Sequence, residues 1–204
     1  MRILIFDTET TGLPTFDYSK NPKFGEFYPP NLLEYYNSAR LVELAYIIYD
    51  SGVNDNEEVK VKTYESLVIP HFEITNSDIH GITTEQAKTN GKDLTVVLND
   101  FYNDLKTVDV IVGHNVKFDI NIVASECSRN NLLHIYNLLL SIKNKCTLNM
   151  SRQKYGRGYK LLELYPKLTK KEWVQSHRAL DDSEKCAEVY FIMTTSETRA
   201  SETR

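Results

Sequence analysis

Two acidic residues follow the first apolar segment of the chain. Asp7 and Glu9 come directly after residues 3–6, a short apolar run typical of a buried strand. Side chains two residues apart in a strand share a face, so both carboxylates are expected beside Ile3 and Ile5. Two carboxylates at a core-facing edge are costly unless a cation lies between them. The spacing therefore predicts a cation site at the end of this strand.

Two further acids fall on the inward faces of predicted helices. Asp119 shares a helix face with Ile122 and Val123, three and four residues further on. Asp182 lies near the start of the last helix, on the same apolar stripe as Cys186. A buried cap or an ion pair is the structural alternative for Asp119.

Four inward-facing acids that come close together cannot all be ionised in a bare pocket. Either some of them have raised pKa values, or divalent cations neutralise them. Ligand sets made only of oxygen favour Mg²⁺ or Mn²⁺, and two such ions between carboxylates suit in-line displacement at phosphorus. His177, on a predicted loop just before the last helix, is suited to take the proton from an attacking water.

Three motifs of this chain resemble those of the DEDD 3′–5′ exonucleases. They are DTETTG at 7–12, HNVKFD at 114–119 and HRALDD at 177–182. The third has a histidine five residues before its last acid, as in the His branch of that family (DEDDh). The resemblance spans about residues 1–195, and it is greatest toward the proofreading exonuclease subunit, epsilon, of DNA polymerase III.

The resemblance implies an α/β architecture, the ribonuclease H-like fold, in which α-helices flank a five-stranded mixed β-sheet. It implies a two-metal-dependent 3′–5′ exonuclease that hydrolyses terminal phosphodiester bonds and releases nucleoside 5′-monophosphates. In that scheme Asp7, Glu9 and Asp182 hold one ion, while Asp7 and Asp119 serve the second. His177 is the implied general base.

Contacts to the 3′-terminal nucleotide are implied by the same resemblance. Thr10 and the backbone around Thr11 are expected at this nucleotide, with Leu13 as a base-stacking wedge. The loop around His80 resembles the family's loop over the terminal nucleotide, although packing within the loop is an alternative role for this histidine. The complete set of substrate-binding candidates is Thr10, Thr11, Leu13, His80, His114 and Asn115.

The expected substrate is DNA with a single-stranded or frayed 3′ end, and the expected cofactors are two Mg²⁺ or Mn²⁺ ions. RNA or short oligoribonucleotides stay open as the alternative, because the motifs indicate metal ligands and do not distinguish ribose from deoxyribose in the substrate. Association with a DNA polymerase in proofreading or repair also stays open, as does the oligomeric state. A non-catalytic nucleic-acid-binding scaffold is disfavoured, since the four acids and the histidine are all present.

Hydrophobic patterning predicts where the supporting elements lie. The apolar runs predict strands over 2–6, 40–50, 59–70 and 108–112, with a hairpin turn at 51–56. Helices are predicted over 93–106, 117–129, 132–142, 147–153, 160–168 and 179–194, and a loop over 74–83. Asn115 is the predicted N-cap of the second helix. Residues 14–38 form an insertion, whose aromatic residues we expect to wall the substrate channel.

Charge is distributed unevenly along the chain. The net charge is −4, yet residues 143–171 carry nine Lys and Arg residues against the single acid Glu163, with Tyr155, Tyr159 and Tyr165 among them. Cations interleaved with aromatic residues suit a nucleic-acid backbone, although a solvated helix face has the same composition.

The composition excludes a disordered chain, a collagen-like repeat and a disulfide-rich miniprotein. Hydrophobic residues make up 41 % and charged residues 25 % of the 204 residues, as in a soluble globular domain. No apolar run is long enough for a membrane span, and no signal peptide is recognisable, so we expect a soluble, cytoplasmic protein. The three cysteines are expected to be reduced thiols. Residues 196–204 have no apolar pattern and are expected to be a disordered tail.

Overall fold

The computed structural model describes residues 1–19, 25–51 and 58–202. Within these residues the strands are β1 (Arg2–Thr10), β2 (Phe16–Asp17), β3 (Glu26–Phe27), β4 (Leu41–Ser51), β5 (Glu58–Leu67), β6 (Val110–Gly113) and β7 (Lys143–Cys146). The helices are α1 (Ser77–His80), α2 (Thr84–Asn90), α3 (Leu94–Leu105), α4 (Lys117–Arg129), α5 (Leu133–Ser141), α6 (Thr147–Tyr155), α7 (Leu161–Thr169) and α8 (Ala179–Glu202), with a 3₁₀ helix at Leu33–Tyr36.

The centre of the fold is a five-stranded mixed sheet in the order β5–β4–β1–β6–β7. Strand β4 pairs antiparallel with both β1 and β5, whereas β6 pairs parallel with both β1 and β7. This arrangement confirms the predicted α/β fold with a five-stranded mixed sheet. Strand β4 ends at Ser51 and β5 begins at Glu58, so the turn predicted at 51–56 falls largely on residues 52–57, which lie outside the described part of the chain.

Strand β1 is central because both of its faces are apolar. Leu4 and Phe6 pack against α3, α4 and α5 on one face of the sheet, in the larger core cluster. Ile3 and Ile5 pack against α6, α7 and α8 on the other face. A strand that is buried on both faces reads as a continuous apolar run, as residues 3–6 do. The acids that follow this run therefore emerge at the end of the central strand.

Several elements differ from the sequence-based expectation. Strand β7 was not predicted, because Lys143, Asn144 and Lys145 are polar and exposed at the edge of the sheet. Helix α2 was also not predicted, and the expected loop over 74–83 contains α1. Asn115 is not the N-cap of α4: the helix begins after Val116, and Asn115 adopts a left-handed φ of 65°. Asparagine tolerates this backbone conformation better than most residues.

Helix α8 extends to Glu202, beyond Thr194, where the apolar pattern ends. The helix thus continues past its predicted end at residue 194 through 196–202, while 203–204 lie outside the described residues. A lack of apolar residues indicates only that a segment has no packed face. This stretch has no Gly or Pro to end the helix, so the backbone hydrogen bonds can continue. No helix in the described part of the chain is long and apolar enough to cross a membrane.

The insertion after β1 forms a small hairpin of β2 and β3 followed by the 3₁₀ helix. Its aromatic side chains pack mainly on one another: Phe16 lies 5.0 Å from Phe27, and the rings of Tyr28 and Tyr35 stack at 3.6 Å. Phe27 also contacts Phe118 on α4, with ring centroids 6.4 Å apart. The hairpin therefore lies beside the start of α4, while residues 20–24, including the expected aromatic Phe24, lie outside the described residues.

Candidate active site

The acids predicted from the sequence meet where β1 ends. Carboxylate oxygens of Asp7, Glu9 and Asp182 all lie within 4.8 Å of one another. The first two leave the end of β1 on the face that packs against α8, and Asp182 lies in the first turn of α8. We call these three residues the carboxylate cluster. Antiparallel pairing of β1 with β4 and packing of α8 across both strands bring the three together.

Asp119 reaches the same region from the opposite face of the sheet. It is 2 % exposed, and its Oδ1 accepts hydrogen bonds from the backbone N–H of Thr8 at 3.0 Å and from the Thr8 hydroxyl at 2.8 Å. Gly113 allows this approach, because a Cβ there would lie 3.1 Å from the carbonyl oxygen of Phe6 and 2.9 Å from Val116. The turn between β6 and α4 therefore packs directly on β1, and the first turn of α4 lies against Thr8.

Burial raises the pKa values of all four acids, and repulsion from other acids of the group adds to this for Asp7, Glu9 and Asp119. Burial, then the charges of Asp119 and Asp182, raises the pKa of Asp7 well above its usual range. Burial and the charge of Asp182 raise the pKa of Glu9 to about 8. Burial raises the pKa of Asp119 to about 7 and that of Asp182 to about 6. Four acids that are costly to ionise together are an environment that a divalent cation would stabilise.

The hydrogen bonds of Asp182 leave one oxygen available. Its Oδ2 accepts a bond of 2.7 Å from Gln175 Nε2, whereas its buried Oδ1 has no hydrogen-bond partner among the described residues. A buried carboxylate oxygen without a partner is unusual, and one oxygen of this same carboxylate lies within 4.8 Å of oxygens of Asp7 and Glu9. This orphaned oxygen and the all-oxygen donor set fit a hard divalent cation such as Mg²⁺ or Mn²⁺.

His177 lies beside the carboxylate cluster at the edge of a cleft. The cleft has a volume of about 590 Å³, and its lining includes Asp7, Asp182 and His177. His177 has a left-handed φ of 50°, a conformation that is uncommon outside glycine. The surrounding structure must hold the histidine in this conformation.

A buried ion pair fixes the residues directly after His177. Glu43 on β4 is fully buried, and its carboxylate accepts hydrogen bonds from the Arg178 guanidinium and, at 2.9 Å, from the backbone N–H of Ala179. Arg178 also pairs with Glu65 on β5 at 3.1 Å. Glu43 thus ties the start of α8 to the sheet. This contact restrains the backbone that carries His177.

The second motif supplies two further residues that line the cleft. The Nδ1 of His114 lies 2.8 Å from the Thr147 hydroxyl, and its ring also bonds the backbone of Tyr159. Burial lowers the pKa of His114 to about 4, so this ring is neutral near pH 7. His114 therefore links the end of β6 to α6 and to the loop before α7. Asn115 is exposed at the cleft.

The other substrate-binding candidates take part in local structure. The Thr10 hydroxyl donates to the Gly12 carbonyl at 2.7 Å, and the Thr11 backbone N–H donates to the Arg40 carbonyl at 3.0 Å. Leu13 is 66 % exposed beside this turn. His80 is 2 % exposed; its Nδ1 accepts from a backbone N–H, and its Nε2 has no partner among the described residues.

Several residues that shape the site were not predicted from the sequence. They are Thr8, Glu43, Thr147, Gln175 and Arg178. Glu43 left a visible signal, since it is the single charged residue in the apolar run 41–48. A charge in such a run needs a buried partner. The partner is Arg178, 135 positions away, and the sequence gives no indication of that pairing.

The family model named RNase T, described as an exonuclease family, matches residues 4–190. The chain belongs to this exonuclease family. Exonucleases of this family depend on divalent metal ions, and the carboxylate cluster of this chain is a group of acids that could hold such an ion.

Individual relatives agree with this assignment. The exonuclease is 27 % identical over 197 residues to the PolC-type DNA polymerase III of Pediococcus pentosaceus, a match that covers 94 % of this chain and 11 % of that protein. Exonuclease I of E. coli, solved with a dT13 oligonucleotide, superimposes with a TM-score of 0.73 at 18 % identity, covering 99 % of this chain and 43 % of that one.

Exonuclease X, solved with 5′ overhanging duplex DNA, superimposes with a TM-score of 0.59 at 22 % identity and covers 96 % of this chain and 92 % of that one. The chain thus spans about a tenth of PolC and under half of Exonuclease I, but nearly the whole of Exonuclease X. At these identities the solved structures agree on the fold.

Proposed function

We propose that this exonuclease removes nucleotides one at a time from single-stranded or frayed 3′ ends of DNA, using two Mg²⁺ or Mn²⁺ ions. The observation that carries the proposal is the carboxylate cluster, in which one oxygen from each of the three acids lies within 4.8 Å of the others. The orphaned, buried Oδ1 of Asp182 belongs to one of these acids. Four acids with raised pKa values and one available buried oxygen favour a cation site over a structural role.

The proposed ligands divide between two ions. Asp7, Glu9 and Asp182 hold the first, and Asp7 with Asp119 serves the second. The Thr8 hydroxyl and N–H, both bonded to Oδ1 of Asp119, hold that side chain in place and leave its other oxygen for the cation. When bound, the ions would neutralise the carboxylates and polarise the scissile phosphate and the attacking water.

His177 is the proposed general base. An imidazole nitrogen of His177 takes a proton from the water that attacks the terminal phosphodiester. The water oxygen bonds to phosphorus as the bond from phosphorus to the 3′ oxygen of the preceding nucleotide breaks, and that 3′ oxygen takes up a proton from solvent. The products are a nucleoside 5′-monophosphate and a strand shortened by one residue with a new 3′-hydroxyl. Contact between Glu43 and Arg178 keeps His177 at the cleft during this transfer.

The terminal nucleotide is proposed to lie in the cleft. Asn115 is exposed there, and neutral His114 lies beside it. Thr10, Thr11, Leu13 and His80 are the proposed contacts around the terminal sugar and base, of which Leu13 is the exposed apolar side chain suited to stacking.

DNA is proposed as the substrate because Exonuclease I and Exonuclease X were both solved with DNA. The likeness to a PolC-type polymerase supports action on 3′ ends during proofreading or repair, with a DNA polymerase as the partner.

The direct test is digestion of 5′-labelled 16-residue strands of DNA and RNA, and of a primer–template with a mismatched 3′ end. Each substrate is incubated with Mg²⁺, Mn²⁺ or EDTA, and Asp7→Ala is run beside the wild type. Asp100→Ala is the matched control, because Asp100 is an acid on α3, on the far face of the sheet from α8.

We expect a metal-dependent ladder that shortens from the 3′ end, faster on single-stranded DNA and on the mismatched primer than on RNA. The ladder should disappear in EDTA and in Asp7→Ala but not in Asp100→Ala. Faster digestion of RNA would transfer the proposal to oligoribonucleotides. No ladder on any substrate, with folded protein and metal present, would contradict the proposed function.

A further inference from the structure

The basic segment 143–171 carries exposed cations, and one of them, Lys160, lines the cleft. It contains β7, α6, α7 and the loop between the two helices. Arg152, Lys154, Arg157, Lys160 and Lys167 are all exposed. Nine basic residues against one acid make this the strongly positive part of an otherwise acidic chain.

Two tyrosine rings restrict the positions of two of these cations. The rings of Tyr155 and Tyr159 meet edge to face at 5.6 Å. The Lys167 ammonium lies 4.9 Å and 5.1 Å from their centroids, and the Arg157 guanidinium lies 4.0 Å from the centroid of Tyr159. We call Tyr155, Arg157, Tyr159 and Lys167 the tyrosine–cation cluster. Cation–π contacts restrict the two cations before any ligand binds.

The positive charge of this cluster is not neutralised by neighbouring acids. In the described ranges, no carboxylate lies within ion-pair distance of Arg157, Lys160 or Lys167. The acid of the segment, Glu163, instead accepts a hydrogen bond of 3.2 Å from the backbone N–H of Lys160 at the start of α7. A preorganised pair of cations without a carboxylate partner suits an external anion.

The cluster is continuous with the candidate active site. Lys160 follows Tyr159 directly and lines the same cleft as Asp7 and Asp182. The backbone of Tyr159 also bonds to the ring of His114, which ties the cluster to the second motif. A polyanion whose end lies at the carboxylate cluster would pass Lys160 and then reach the tyrosine–cation cluster.

We propose that the tyrosine–cation cluster is a second nucleic-acid binding site, which holds the backbone of the strand on the 5′ side of the scissile phosphate. Arg157 and Lys167 contact successive phosphates, and the two tyrosines keep these cations oriented. This inference rests on the proposed function for the direction of the strand. The site contributes affinity for long strands and takes no part in bond cleavage.

The test compares long and minimal ligands in the double variant Arg157→Gln/Lys167→Gln. Binding of a fluorescent dT16 strand is measured by anisotropy in EDTA, where no hydrolysis is needed. Hydrolysis of the p-nitrophenyl ester of thymidine 5′-monophosphate with Mn²⁺ probes the cleft alone. The matched control is Lys106→Gln, because Lys106 lies 4.7 Å over the Tyr102 ring near the end of α3, on the opposite face of the sheet.

We expect the double variant to bind dT16 at least about tenfold more weakly, and the salt dependence of log K to fall by about 1.4 for two lost phosphate contacts. Hydrolysis of the ester should stay within about twofold of wild type, as should both properties of Lys106→Gln. Unchanged affinity and salt dependence, or an equal loss in Lys106→Gln, would overturn the inference. If the wild type binds dT16 through this cluster but hydrolyses nothing, the proposed function fails and the binding site stands.

Discussion

Removing either partner of the Glu43–Arg178 pair should destabilise the exonuclease by very different amounts. The Glu43 side chain is 0 % exposed, whereas that of Arg178 is 41 % exposed. Arg178→Met leaves a buried carboxylate with one remaining backbone donor, at Ala179. Glu43→Gln instead leaves a guanidinium that water reaches and that still pairs with Glu65 at 3.1 Å.

The size of the difference follows from this exposure. Breaking a buried ion pair by removing one partner costs about 3–5 kcal/mol. Because water can enter the space that Arg178 leaves, we expect about 2–3 kcal/mol for Arg178→Met. For Glu43→Gln we expect about 1 kcal/mol, since no buried charge is stranded. At about 2–4 °C per kcal/mol for a chain of this size, Arg178→Met should lower Tm by roughly 4–12 °C.

Urea unfolding followed by far-UV circular dichroism and by fluorescence of the single tryptophan measures both variants. Lys171→Met is the matched control, because Lys171 forms a largely exposed pair with Glu188 at 2.9 Å. We expect that control to cost less than about 1 kcal/mol. An Arg178→Met variant as stable as Glu43→Gln, or as Lys171→Met, would refute the reasoning.

Three other predictions concern the site. Because the pKa values of Asp182, Asp119 and Glu9 are raised to about 6, 7 and 8, the folded protein binds more protons than the unfolded chain between about pH 4 and 8. Its Tm in EDTA should therefore fall from pH 5 to 8, and Mg²⁺ should restore it at pH 8; a flat profile in EDTA would contradict this. His177→Ala should lower the single-turnover rate constant of digestion at pH 7.5 by about 10²–10⁴-fold. The Tm of this variant should stay within about 2 °C of that of the wild type. Deleting the insertion over 14–38 should change the ratio of the digestion rates on single-stranded and mismatched DNA. An unchanged ratio would show that the insertion does not form a wall of the substrate channel.

Much of the scaffold could be predicted because its elements carry strong local patterns. The apolar run of β1 predicted a central strand, and the helix predicted over 117–129 has the observed bounds of α4. Strand β7 could not be predicted from local sequence, because its residues are polar and its pairing with β6 comes from the sheet. The length of α8 was not predicted, because apolar periodicity indicates only which part of a helix packs on the core. The helix continues through polar residues beyond that part.

The acids of the candidate site could be predicted from the sequence, but the residues that hold them in position could not. Asp7 and Glu9 are recognisable in the sequence because they are two charges at the end of an apolar strand. The partners that orient the site are long-range: Thr8 bonds to Asp119 across 111 positions, and Arg178 bonds to Glu43 across 135. Such contacts follow from the packing of α4 and α8 on the sheet, and no local pattern specifies them.

The central claim is that the carboxylate cluster holds the divalent cations that drive hydrolysis. Two adjacent aspartates on α8 test it. Asp182 has the orphaned Oδ1 within the cluster, whereas Asp181 pairs with Lys185 at 3.2 Å and accepts hydrogen bonds from Trp173 and Ser176. An asparagine at either position keeps the shape of the side chain and removes its charge.

The measurement is the rate of Mg²⁺-dependent shortening of a 5′-labelled DNA strand by Asp182→Asn and Asp181→Asn, with Mn²⁺ binding titrated calorimetrically in each. Asp182→Asn should lose at least about 10³-fold in rate and bind Mn²⁺ at least about tenfold more weakly. Asp181→Asn should keep wild-type Mn²⁺ affinity and most of its activity, because its amide oxygen still accepts both hydrogen bonds. Equal rates and equal Mn²⁺ affinities in the two variants would contradict the account.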